Sequence, residues 1–141
     1  AECLPYHDNQ ISLNNDVLDK WGQPTLTIDA EFKANEKALN KQIQEDAIEM
    51  LEKAGLKDIV GFDNEHPPGY GVHEMGTARM GRDTKTSVLN GFNQVHTAKN
   101  VFVTDGACMT SSSCVNPSLT YMAITARAAN HAVSELKKLN I

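Results

Sequence analysis

Residues 71–81, GVHEMGTARMG, carry one imidazole and one guanidinium among glycines and other small residues. The spacing of their apolar positions fits neither the period of an amphipathic helix nor the alternation of a strand. Glycine lets the backbone approach a neighbouring group closely, and histidine exchanges protons near neutral pH. The stretch therefore predicts a loop shaped around another group. A lone histidine is more often a surface or core residue, so His73 is only a candidate for proton chemistry at this point.

The stretch SSSCVNPSLTYMA, residues 111–123, is the second chemically suggestive feature. It offers Asn116 as a helix N-cap and Pro117 at the first helical position, where its missing N–H costs nothing. The N–H groups of residues 118–120 would then point out of the helix with the positive end of its dipole. The sequence predicts either an ordinary helix cap or, with an anionic partner, an anion site.

Composition excludes several classes of protein. The chain has 141 residues, of which 40% are hydrophobic and 22% charged, as expected for one ordinary domain with a core. Its formal net charge of −5, without a basic stripe, argues against a nucleic-acid partner. No apolar run approaches the roughly 20 residues that span a bilayer. We expect a soluble chain with no membrane segment, in the cytoplasm or the periplasm.

Other catalytic and metal chemistries lack their motifs. Cys3, Cys108 and Cys114 are scattered and odd in number, which predicts free thiols and no metal site. Ser111 to Ser113 lack the G-x-S-x-G elbow of a serine hydrolase, and GRDTKTS lacks the second glycine of a phosphate loop. The remaining histidines are interpreted as structural or solvated: His7, His66, His96 and His131.

The N-terminal half predicts a hairpin and a helix. Apolar residues alternate with polar ones around Ile11 and Leu13 and again around Leu26 and Ile28, with a Gly-Pro turn between them. The next stretch, NEKALNKQIQEDAIEMLEKAG, has the three- and four-residue spacing of an amphipathic helix with a solvated charged face. We expect that helix to open at Asn35 as N-cap and to stop at Gly55.

The C-terminal half predicts a loop, a strand and a long helix. A Pro- and Gly-rich loop at 61–71 leads to His73, and a short strand is expected near residues 87–89. The run NVFVTDGAC predicts a buried strand that ends in an Asp-Gly turn. The last helix carries an apolar stripe at helical spacing. Its members are Leu119, Met122, Ala123, Ala126, Ala129, Val133 and Leu136.

Together, HEMGTARMG and SVLNGFNQVHTAKNVFVTDGACMTSSSCVNPSLTYMAITARAA resemble the C-terminal part of the glucose-methanol-choline (GMC) family of FAD-dependent oxidoreductases. That family carries a His-x-x-Gly-Thr stretch, a strand ending in Asp-Gly, and a final helix beginning Asn-Pro-x-x-Thr. The elements occur in the same order and spacing over essentially the whole chain. The NPSLT form is most similar to the sugar and gluconate dehydrogenase and pyranose oxidase branches.

The resemblance implies an α+β fold in two parts. Residues 1–75 would be a segment of an antiparallel-sheet substrate domain with packed helices, carrying the loop of the catalytic histidine. Residues 76–141 would supply the closing strand and C-terminal helix of a Rossmann-like FAD-binding domain.

It also implies a flavin site. His73 matches the family's base, which takes the hydroxyl proton of an alcohol as its hydride passes to FAD. Asn116 matches a His or Asn position that orients the substrate, a role that competes with capping the helix. Asp105 and Gly106 match the positions that approach the ribityl and pyrophosphate groups of FAD.

Three further positions match the flavin-ring end of the cofactor site: Pro117, Ser118 and Thr120. Helix N-terminal N–H groups there would stabilise the negative charge of a reduced flavin.

The implied function is oxidation of a sugar, sugar acid or polyol, with oxygen, a quinone and a cytochrome all open as electron acceptors. The sequence starts without methionine and has no G-x-G-x-x-G fingerprint for the FAD pyrophosphate. We therefore expect a segment of a longer enzyme that is inactive alone, binds FAD weakly, and has an N-terminal FAD-binding part as its partner. The alternative is a separately encoded, non-catalytic subunit or binding module that retains the fold.

Overall fold

Regular structure is confined to two antiparallel hairpins, two long helices and one 3₁₀ turn in the computed structural model, which describes residues 2–141. The elements are β1 (Gln10–Leu18), β2 (Pro24–Asp29), α1 (Ala34–Lys53), β3 (Gln94–Val95), β4 (Ala98–Phe102), the 3₁₀ turn Gly106–Cys108 and α2 (Ser118–Lys137). The predicted α+β class with antiparallel strands is confirmed. The chain divides into two compact units, with the boundary along the sequence between Gly71 and Val72. His73 thus lies in the second unit.

The predicted N-terminal hairpin is present. Strands β1 and β2 pair antiparallel, with Ile11 opposite Ile28 and Leu13 opposite Leu26. The connecting loop is organised by Asp19, whose carboxylate accepts hydrogen bonds from the N–H groups of residues 21 and 23 at 2.9 Å. An Asp side chain that bonds its own following backbone is typical of such turns.

The predicted first helix is present, but its N-cap prediction is wrong. Helix α1 begins at Ala34, so Asn35 lies inside the first turn. The buried carboxylate of Glu36 accepts hydrogen bonds from the N–H groups of Lys33, at 3.1 Å, and Leu4, at 3.0 Å. Gly55 follows the helix with φ +89°, the left-handed conformation that commonly ends helices.

The second unit packs around a small core of Leu89, Cys108 and Ala128. The strand expected near residues 87–89 is limited to single bridges from Leu89 to Met80 and Val95. The strand expected to be buried is β4, and residues 99–101 of it are exposed. A two-residue partner strand, β3, gives β4 too little sheet for burial.

The face of α2 that is buried differs from the apolar stripe that the sequence predicted to be buried. Tyr121 and Ile124 are half-buried and Ala128 is buried, whereas Leu119 and Met122 of the predicted stripe are 77% and 68% exposed. The helix has apolar residues on both faces, and its own unit covers one of them. Among the described residues, neither helix is long and apolar enough to cross a membrane.

Candidate functional site

Residues 73–81, which we call the histidine loop, run beside the Asp-Gly turn that follows β4. Three backbone N–H groups of this loop donate to three consecutive carbonyls of the turn. The pairs are Gly76 to Gly106 at 3.4 Å, Ala78 to Ala107 at 2.9 Å and Met80 to Cys108 at 3.0 Å. Two of the motifs singled out in the sequence are therefore joined directly by backbone hydrogen bonds.

Gly106 is the point of closest approach. It is buried, and a Cβ atom built on it would lie 2.9 Å from both Sδ of Met75 and Oη of Tyr121, and 3.0 Å from the Glu74 carbonyl oxygen. Real Cβ atoms essentially never approach that closely. The absence of a side chain lets the histidine loop, the turn and the first turns of α2 meet at this residue.

A side-chain hydrogen bond from Tyr121 links the histidine loop to α2. Its hydroxyl donates to Sδ of Met75 across 3.6 Å. Burial raises the pKa of the Tyr121 hydroxyl, and the negative charge of Asp105 raises it further. The phenol therefore stays protonated and keeps its hydrogen bond to the sulfur over the physiological pH range.

Asp105 caps the 3₁₀ turn. Its Oδ1 accepts a hydrogen bond from the N–H of Ala107 at 3.0 Å. The side chain is exposed, and Oδ2 makes no hydrogen bond to any of residues 2–141. The carboxylate thus orders the turn with one oxygen and leaves the other exposed.

The start of α2 differs from the prediction. Pro117, buried and with φ −87°, occupies the N-cap position, and the helix begins at Ser118. The predictions of Asn116 as N-cap and Pro117 as first helical residue are therefore wrong, and no side chain caps this end. The Pro117 carbonyl accepts from the N–H of Tyr121 at 3.0 Å, which makes proline the boundary residue.

Asn116, Ser118 and Thr120 are exposed around this uncapped end. The side chain of Asn116 makes no hydrogen bond within the described chain, so its competing role as a cap is removed. Early N–H groups of a helix that lack a capping side chain are free to bind an acceptor oxygen.

His73 is exposed and forms no hydrogen bond with Asn116 or with any other described residue. Its backbone is set by the residues beside it, because Val72 has φ +53° and Met75 is held against Gly106 and Tyr121. The structure thus places the histidine next to an anchored segment while its ring stays accessible.

Sequence reasoning missed Met75 and Tyr121. No spacing rule pairs two residues 46 positions apart, and neither type signals chemistry by itself. The only signal in the sequence was the tyrosine itself. It stands one turn into a predicted helix, at a position where an aliphatic residue without a hydroxyl would also pack.

The three cysteines are free thiols, as predicted. Burial raises the pKa of the Cys108 thiol, which keeps it uncharged. Within the part of the chain that the structure describes, no three His, Cys, Asp or Glu side chains are grouped to hold a metal ion.

Comparison with characterised proteins gives relatives along nearly the whole chain. A 2-methyl-1,2-propanediol dehydrogenase of Mycolicibacterium austroafricanum is 33% identical over 93% of this chain and 24% of its own length. The fructose dehydrogenase large subunit of Gluconobacter japonicus is 30% identical over 97% of this chain and 25% of its own length. A pyranose 2-oxidase of Tricholoma matsutake is 29% identical over 85% of this chain and 21% of its own length.

The chain thus spans about a quarter of the length of these relatives. The Asn-Pro-Ser-Leu-Thr stretch predicted the sugar and gluconate dehydrogenase and pyranose oxidase branches, and a fructose dehydrogenase and a pyranose 2-oxidase are among these relatives. Residues 5–125, which contain the histidine loop, the Asp-Gly turn and the start of α2, match the family model of the GMC oxidoreductases. The chain therefore belongs to the GMC oxidoreductase family.

Proposed function

We propose that the full-length protein oxidises a hydroxyl group of a sugar, sugar acid or polyol by hydride transfer to FAD, with His73 as the base and Asn116 as the orienting donor. Family membership supports the reaction class, and the names of the relatives point to polyhydroxy compounds. The observation that carries the assignment is the packing of Met75 on Gly106 and Tyr121. It joins the histidine loop to the two other motifs of the resemblance.

The chain's own groups suit a flavin. The uncapped N-terminus of α2 presents N–H donors with the positive end of the helix dipole at residues 118–120. Asp105 keeps one carboxylate oxygen available as a hydrogen-bond acceptor for a ribityl hydroxyl. We infer that Asp105, Gly106, Pro117, Ser118 and Thr120 hold the cofactor. Bound FAD would supply the acceptor for the hydride.

The chemistry of the chain's residues follows from their types. Neutral His73, through an accessible ring nitrogen, takes the proton of the substrate hydroxyl as the carbon–hydrogen bond breaks. Asn116 donates its amide N–H to the same oxygen and so fixes the direction of the alcohol. The amide does not ionise, so the site has one base. Main-chain N–H groups of α2 stabilise negative charge without having to reorganise.

The two parts that the family resemblance implies would have separate roles in the complete enzyme. Their boundary at residue 75 differs from the boundary of the compact units, which lies between Gly71 and Val72. We infer that residues 1–75 belong to the substrate domain with the histidine loop, and that residues 76–141 close a Rossmann-like FAD-binding domain with β4 and α2. The remaining part of that domain is the partner we assign to this chain, because the relatives are about four times longer. The exposed stripe of α2, including Leu119 and Met122, offers it an apolar surface.

Replacing His73 with asparagine tests the base. Asparagine retains a similar shape and hydrogen bonding but accepts no proton at neutral pH. We expect flavin reduction in the full-length protein to slow about 10²- to 10⁴-fold, as measured by stopped-flow bleaching of the flavin band with fructose and with 2-methyl-1,2-propanediol. His66→Asn, at another exposed histidine, is the matched control. Unimpaired reduction in His73→Asn would refute the assigned role.

A titration of FAD with the 141-residue chain separates a segment of an enzyme from a complete flavoprotein. We expect no change in flavin fluorescence at tens of micromolar chain. Tight, stoichiometric binding would show a flavin site complete in this chain. A full-length protein that holds no FAD would instead favour a non-catalytic subunit that retains the fold.

A further inference from the structure

Asn93 is a buried residue to which the proposed function assigns no role. We call its hydrogen bonds with Val103 and Arg127 the Asn93 junction. Its side chain is fully buried and its φ is +64°, a left-handed conformation that asparagine tolerates better than most residues. Nδ2 donates to the carbonyl oxygen of Val103 at 3.0 Å, and the Asn93 carbonyl accepts from the N–H of Val103 at 3.0 Å. One residue therefore holds both backbone groups of Val103.

Arg127 extends this junction to α2. Its Nη2 donates to Oδ1 of Asn93 at 3.0 Å and lies 3.8 Å from Sδ of Met80. Hydrogen bonds from a guanidinium are stronger than those between neutral groups. Because the Asn93 amide is buried, losing this donor would leave a buried oxygen without its partner. The bond thus couples the middle of α2 to Val103 through a single side chain.

Val103 lies two residues before Asp105. The hydrogen bonds of Asn93 therefore fix the backbone that leads into the Asp-Gly turn. Asn93 thus holds the start of the segment from Val103 to Cys108. Met75 and Tyr121 contact the segment at Gly106, and the N–H of Met80 donates to the Cys108 carbonyl at its end.

We propose that Asn93 and Arg127 are positioning residues for the cofactor site, because together they fix the Asp105–Gly106 turn relative to helix α2. This inference rests on the proposed function, in which the turn and the N-terminus of α2 contact the same FAD. The two surfaces come from segments far apart in the sequence. Hydrogen bonds that couple them set the distance between the two sets of cofactor contacts.

Arg127 is the residue chosen for substitution. It is exposed on α2, so that replacing it leaves the core intact. Arg127→Gln removes the charge and shortens the side chain, and Arg127→Lys keeps the charge without the planar donor group. Asn93→Asp keeps the acceptor for Arg127 and loses the donor to Val103. Arg82→Gln, at an exposed arginine without a hydrogen bond or ion pair in residues 2–141, is the matched control.

Two measurements are made on the full-length protein. Hydrogen exchange of peptides covering residues 103–108 reports the junction itself. The FAD dissociation constant and the flavin reduction potential report the cofactor site. In Arg127→Gln we expect exchange in this segment to become faster and FAD to bind about tenfold more weakly, with a shifted potential. Arg127→Lys should lie between the unaltered protein and Arg127→Gln, and Asn93→Asp should resemble Arg127→Gln.

The proposal is overturned if Arg127→Gln matches Arg82→Gln in both measurements. It is also overturned if exchange accelerates while FAD affinity and potential stay unchanged, because the junction would then serve stability alone. Absence of FAD from the unaltered full-length protein is a distinct result. It would overturn the proposed function and the cofactor role of the junction together, whereas exchange would still report whether Arg127 holds the turn.

Discussion

The hydroxyl of Tyr121, in the first turns of α2, donates to the sulfur of Met75, two residues after His73. Gly106 lies against both groups and leaves no room for a side chain. This three-way contact holds the histidine loop to the helix and to the Asp-Gly turn. Substitutions of Tyr121, Met75 or Gly106 should therefore affect the candidate site by changing the position of the histidine loop.

Tyr121→Phe removes the donor and retains the ring. A thioether is a weak acceptor, so we expect the free energy of unfolding to fall by about 0.5 kcal/mol. Because the loop loses the side-chain hydrogen bond to α2 that lies nearest His73, flavin reduction should slow by a larger factor than the small loss of unfolding free energy would produce. Urea unfolding and stopped-flow flavin reduction measure the two effects. Tyr70→Phe, at an exposed tyrosine, is the control. Equal rates in the two variants would contradict a positioning role for the hydroxyl.

Gly106→Ala forces atoms into occupied space. The new Cβ would lie 2.9 Å from side-chain atoms of Met75 and Tyr121 and 3.0 Å from the Glu74 carbonyl oxygen, which belongs to the backbone and shifts less easily than the end of a side chain. We expect a loss of about 1 to 3 kcal/mol in the free energy of unfolding, measured by urea denaturation. At Gly91 a Cβ meets nothing within 4 Å, so Gly91→Ala should be nearly neutral. A neutral Gly106→Ala would show that the three groups do not pack as described.

Asn116→Ala separates capping from substrate orientation. Replacement of a true N-cap costs about 1 kcal/mol, but here Pro117 occupies that position and no side chain caps the helix. We expect unchanged thermal stability together with slower flavin reduction in the full-length protein. A clear fall in melting temperature with normal reduction kinetics would reverse the assignment.

Glu36 makes the first unit sensitive to acid. Burial alone would raise its pKa, but hydrogen bonds from the Leu4 N–H, the Asn35 side chain and the Lys33 N–H outweigh burial and lower the pKa from 4.5 to about 2. A carboxyl whose pKa falls on folding stabilises the folded state above its unfolded pKa. This contribution should therefore be complete above pH 4.5 and disappear as the pH falls toward 2.

Hydrogen exchange at the Leu4 amide between pH 6 and pH 3, corrected for intrinsic rates, follows this loss locally. Glu36→Gln should lower protection at pH 6 and flatten its pH dependence. Glu52→Gln, at an exposed carboxylate, should behave as the unaltered chain does. Retention of the full pH dependence in Glu36→Gln would assign it to another group.

Local patterns in the sequence were sufficient for the elements whose signals lie within one turn or one strand. The alternation around Ile11 and Leu13 predicted β1, and the spacing before Gly55 predicted α1, because strand pleating and helical periodicity act over a few residues. The ordered motifs around His73 and Asn116 predicted the family. Helix ends were less accurate, since capping depends on which nearby group reaches the free N–H groups. At α1 that group is Glu36, and at α2 the boundary is Pro117.

Tertiary structure decided which residues surround the motifs. Contacts of Tyr121 with Met75 and of Arg127 with Asn93 join positions 46 and 34 residues apart, and no local period encodes such distances. It also decided which face of α2 is covered, because that helix is apolar on two sides and periodicity alone does not choose between them. Residue types and order determined the family and the candidate chemistry. Packing across the fold determined what holds that chemistry in place.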